Sequence, residues 1–71
     1  MATYERTLTV TIDELDAQLT FRRVSGKVMA TVFDGTESET FEVAGYGPMN
    51  ALNVKQIVTD GLTALGHTIK P

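Results

Sequence analysis

The chain contains no cysteine and only one histidine in 71 residues. The first absence excludes a disulfide scaffold and any zinc site built on thiolates. Long apolar runs are missing too. The longest uncharged stretch, Val43 to Val54, is interrupted by Gly45, Gly47 and Pro48, and falls short of the roughly 20 apolar residues of a membrane-spanning helix. Glu5 and Arg6 stand where a secretion signal would be continuously apolar. These absences point to a cytoplasmic protein with no membrane attachment. Positive charge is also scarce. Six Lys and Arg against nine Asp and Glu leave a net charge of −3, which gives little capacity to neutralise nucleic-acid phosphates.

What is present describes a folded chain. Apolar residues make up 42% and charged residues 21%, close to the average for globular domains and unlike a disordered segment. With no linker, repeat or low-complexity run, residues 1–71 read as one small α+β domain. At 7.7 kDa such a chain buries only about 60% of its unfolded surface. Burial and conformational entropy then nearly cancel, and packing against a second copy or another protein is the expected way to widen the margin.

Threonine, a strand-favouring residue, occurs eleven times. From Thr7 to Ile12 it alternates with Leu8, Val10 and Ile12, the period of a half-buried strand. The next segment has two readings. Asp13 to Asp16 as a loop leads to a second strand over Ala17 to Val24, with Ala17, Leu19 and Phe21 on one face. Alternatively, Thr11 and Glu14 form a capping box for a short helix over 12–19, giving β-α-β-β-α. The strand reading is preferred, because Thr20 to Val24 is a poor helix and clustered acids suit a turn. Ser25-Gly26-Lys27 then reads as a turn and Val28 to Phe33 as a strand. Asp34-Gly35 reads as a tight hairpin turn with both residues at positive φ, followed by a return strand over roughly Glu37 to Ala44. The strongest signal comes last. Val54, Ile57, Val58, Gly61, Leu62 and Leu65 make one apolar helical stripe. Asn53 and Gln56 have capping-box spacing, Leu52 and Ile57 staple spacing, and Gly66 supplies the terminating left-handed residue. The predicted fold is a four-stranded antiparallel meander with one C-terminal helix across one face. Gly61 within the stripe implies close approach to whatever the helix packs on.

Catalytic patterns are weak. Ser25 and Ser38, the only serines, lack a nucleophile-elbow context, so a triad with His67 and Asp60 has no motif behind it. Asp13, Glu14 and Asp16, like Asp34, Glu37, Glu39 and Glu42, read as solvated acidic turns and edges; the first cluster lacks the ligand ladder of a calcium loop. Gly45-x-Gly47 ahead of the helix hints at phosphate. The third glycine of a dinucleotide fingerprint is replaced by Asn50, and no P-loop lysine follows. No cofactor and no metal are expected, and the chain does not read as an enzyme.

Binding residues are easier to nominate. Arg22, Arg23 and Lys27 make a short basic edge, and Tyr46 could stack on a base. The strand-strand-strand-helix order from Phe21 onward resembles, in topology, the second part of a double-stranded-RNA-binding domain and the small toxins of that fold. The lysine-rich start of that family's last helix is absent here, Lys55 being the helix's one basic residue. The turn at Ser25-Gly26-Lys27 lacks the toxins' histidine, and no family is assigned. Tyr46 and Met49 stand in a glycine-rich loop, and tyrosine, methionine and arginine are enriched in interface cores. The expectation is a small regulatory or inhibitory accessory protein, of the kind encoded by a bacterium or phage. It would act by protein contact, as a homodimer or on another protein, through Tyr46, Met49, Arg22, Arg23 and Lys27. A nucleic-acid-associated dimer is the alternative.

Overall fold

Alternating threonine and aliphatic side chains put the first segment into a strand with one wet and one dry side, and the structure extends that pattern across a whole sheet. The structure, a computed structural model, describes residues 5–70. Its strands are β1 (Glu5–Ile12), β2 (Leu15–Val24), β3 (Lys27–Phe33) and β4 (Ser38–Glu42). A single 3-10 turn (Ala44–Tyr46) and the helix α1 (Ala51–Ala64) complete it. The four strands form an antiparallel meander in the order β1-β2-β3-β4.

Register decides which side chains share a face. Leu8 pairs with Leu19, Val10 with Ala17 and Ile12 with Leu15. Leu19 in turn pairs with Val32, and Phe21 with Ala30. This face meets Ile57, Val58 and Leu62 of α1, all completely buried. Ile12, Ala17, Leu19, Phe21, Ala30, Val32 and Val43 complete the core. Gly61 makes the contact close: a Cβ there would stand 2.5 Å from Cβ of Val32 and 2.9 Å from its Cγ1. The close approach expected of Gly61 is therefore to the sheet, at β3.

The turns correct several details. The helix over 12–19 does not form. Asp13 and Glu14 are the two loop residues of a hairpin, at φ 49° and 70°, and β2 begins at Leu15. Ser25 and Gly26, at φ 52° and 78°, form a second such hairpin, the paired positive φ values matching strand twist. The Asp34-Gly35 turn is longer than its sequence suggests. Asp34 is not at positive φ, and its Oδ1 accepts from the backbone N–H of Thr36 (2.8 Å) and Glu37 (2.7 Å). That Asx turn delays β4 to Ser38.

The helix also starts earlier than the Asn53 capping box requires. Asn50 is the N-cap, its side chain accepting from the Asn53 N–H at 2.9 Å. Asn53 instead donates its side-chain amide to Pro48 O, and Gln56 bonds Asp60. The staple is absent as well, since Leu52 is 76% exposed while Ile57 is buried. At the far end Gly66 N–H reaches Thr63 O and His67 N–H reaches Leu62 O. With Gly66 at φ 100° this is a Schellman ending.

Candidate functional site

The five nominated binding residues are distributed over different surfaces. Arg22 and Arg23 are neighbours on β2, so their side chains leave opposite faces of the sheet. Arg22 lies on the face without a helix, where its Nε (3.0 Å) and Nη2 (2.6 Å) both donate to Oε2 of Glu5. Lys27 shares that open face, bordering a shallow depression with Val24, Met29, Thr31 and Glu42. Arg23 lies on the helix side. The basic edge read from the sequence is thus divided between two surfaces, and one of its cations is already paired.

Tyr46 and Met49 also separate. Tyr46 is partly buried against the core, its ring centroid 6.2 Å from that of Phe41, and its hydroxyl donates to a carboxylate oxygen of Asp60. Burial, helped by that hydrogen bond, pushes its phenol up to about 12. It holds the loop after β4 against α1. Met49 has no comparable anchor and is 45% exposed.

Met49 and Arg23 meet at a groove of about 380 Å³ where α1 begins. Leu8, Phe21, Val28 and Val54 supply its apolar walls, and Arg6, Arg23, Met49 and Asn50 its rim. The groove exists because α1 starts at Ala51, leaving the ends of β1 and β2 uncovered on the core side. Neither Arg6 nor Arg23 has a hydrogen-bonded or ionic partner among the described residues. Arg6 was not among the nominated residues. Sixteen residues separate it from Arg23, and only the pairing of Arg6 with Phe21 places it one strand away.

The open face holds an arrangement that no single strand displays. Thr7, Thr20, Thr31 and Thr40 stand opposite one another on successive strands, making a threonine row across the sheet. Their hydroxyls bond in pairs, Thr7 to Thr20 at 3.0 Å and Thr31 to Thr40 at 2.8 Å. Phe33 and Val24 stand exposed on the same face.

His67, Asp34 and Asp60 do not assemble into catalytic order. His67 Nε2 lies 2.8 Å from Oδ2 of Asp34, while Asp60 is engaged by Tyr46 and Gln56. Neither serine bonds the imidazole among the described residues. Asp34 is drawn down to about 2, first by the Glu37 amide and then by His67 and the Thr36 amide. The contact ties the β3–β4 loop to the segment after α1. No group of three or more metal-ligating side chains occurs among the described residues, and no described helix is long and apolar enough to cross a membrane. Compared with protein-family models, curated proteins and solved structures, the chain matches none.

Proposed function

We propose that this chain is a small binding module that acts by contact with another protein, as an accessory or regulatory component, without catalysis of its own. The groove at the start of α1 carries the reading. It combines apolar walls with a flexible methionine and two arginines that have no acidic partner among the described residues. Methionine adapts to varied apolar surfaces, and arginine pairs with carboxylates in a defined geometry. A partner segment that places an acidic group beside an aliphatic or aromatic side chain fits this chemistry. The division of Arg22 from Arg23, and the pairing of Arg22 with Glu5, favours this reading over a nucleic-acid surface.

The test is an amide and methyl NMR titration of the isotope-labelled chain with short peptides that pair Asp or Glu with Leu or Phe. Duplex RNA serves as the competing probe. Shifts should concentrate at Leu8, Arg23, Val28, Met49 and Val54 and disappear in an R23E/M49S variant. Binding of RNA but of no peptide, with affinity collapsing between low and moderate salt, would replace the protein reading with the nucleic-acid one.

A further inference from the structure

We propose that β1 is the seam of a homodimer, in which two copies pair edge to edge and antiparallel about Val10 to make one continuous sheet. The proposal does not depend on the groove's ligand. It begins with the unequal protection of the two sheet edges. β4 is short, five residues, and carries Glu39 and Glu42, with Glu37 just ahead of it. Short length and charge are the usual means by which an edge is kept from pairing with other strands. β1 has eight residues, and from Thr7 to Ile12 it contains no charge, glycine or proline. In a hairpin with a two-residue loop, the flanking pair exchanges both hydrogen bonds. Ile12, Val10 and Leu8 therefore bond toward β2, and Thr7, Thr9 and Thr11 turn their N–H and C=O groups outward. Among the described residues no backbone group outside the sheet meets them.

The strand is complementary to itself in one register. Antiparallel pairing about Val10 sets Thr9 opposite the partner's Thr11, so outward-facing groups exchange hydrogen bonds. It sets Leu8 opposite the partner's Ile12, so the apolar face continues from one core to the next. Leu8 and Val10 are only half-buried in the single chain and would be covered. It also brings Arg6, which has no partner of its own among the described residues, toward the partner's β1–β2 turn, which carries Asp13 and Glu14, and the two-fold axis makes that approach twice. Arg23 then remains as the groove's free cation. Pairing about Thr9 instead would set Glu5 opposite the partner's Asp13, two acids together. Leu52, 76% exposed, borders a cleft with Thr11 and Ile12 on the helix side of this edge, where a second copy would shield it.

Sedimentation equilibrium of the purified chain tests the seam. A reversible monomer–dimer equilibrium is expected, and R6E or E14R alone should raise the dimer dissociation constant about tenfold, since each turns two attractive pairs into repulsive ones. The R6E/E14R double swap should return it to within about threefold of wild type, a rescue that general destabilisation would not show. Thr9→Pro removes an outward N–H while leaving the bonds to β2, and should abolish the dimer. If circular dichroism shows that this variant does not fold, Thr9→Lys serves in its place. A monomer at every concentration up to the millimolar range would overturn the proposal. So would a dimer indifferent to the Thr9 variants, and single swaps without rescue would overturn the register about Val10.

Discussion

At the scale of single residues, the two perturbed groups predict opposite responses to pH. Asp34 titrates near 2 in the folded chain against an ordinary 3.8. Its contribution to stability is therefore complete above pH 3.8 and is lost as pH falls toward 2. Tyr46 titrates near 12 against an ordinary 10.0, so its contribution is complete below pH 10 and is lost as pH rises toward 12. Denaturant unfolding across pH should show both slopes, with Asp34→Asn flattening the acid one and Tyr46→Phe the alkaline one. A Tyr46→Phe chain whose alkaline slope is unchanged would place the phenol outside the packed loop. Tyr46 also marks the limit of local reading. Tyr46 and Met49 look equivalent in a glycine-rich loop, and what distinguishes them is Asp60, fourteen residues beyond Tyr46, presented by the third turn of α1 to one and not the other.

At the scale of the element, α1 rests on a contrast between faces. Leu62 is fully buried, so Leu62→Ala should cost about 2–5 kcal/mol, while Thr59→Ala should stay within about 0.5 kcal/mol. Gly61 sets two effects against each other. Alanine improves helix propensity by about 1 kcal/mol, but its methyl would collide with Val32 at a contact too short to accommodate. Overpacking costs about 1–3 kcal/mol, so Gly61→Ala should be net destabilising; Val32→Ala removes the Cγ atoms but keeps the Cβ that the new methyl meets, so the two changes should couple favourably without restoring wild-type stability. A double-mutant cycle by urea unfolding measures that coupling. A Gly61→Ala chain more stable than wild type would mean that helix and sheet separate more easily than this packing allows. The apolar stripe was legible because helical period is local. The N-cap was not, because both Asn50 and Asn53 are competent caps, and the choice falls to the loop that presents the chain, where Asn53 is occupied with Pro48.

At the scale of the whole molecule, one helix packs on one face of the sheet and no described element covers the other, in a body measuring 39 × 25 × 17 Å. Among the described residues ten make up the buried hydrophobic core, which is a modest reserve against the entropy of ordering the chain. If a second copy covers the half-buried margin at β1, mass action requires the melting temperature to rise with protein concentration. Differential scanning calorimetry over a hundredfold concentration range checks this. A melt that does not move would show that the single chain supplies its whole stability.

Composition and periodicity determined the class of fold: alternation places Leu8, Val10 and Ile12 on one side of a strand, and the stripe from Val54 to Leu62 determines which side of a helix is dry. These are consequences of the backbone's repeat and can be read within a window of a few residues. Tertiary structure alone decided that Thr7, Thr20, Thr31 and Thr40 form one row and that Arg6 joins Arg23 at one groove. Each of these depends on strand register and on where a helix begins relative to the sheet beneath it. Both are set by the combined packing of segments distant in sequence, and a side chain carries no local mark of the neighbour that packing will bring to it.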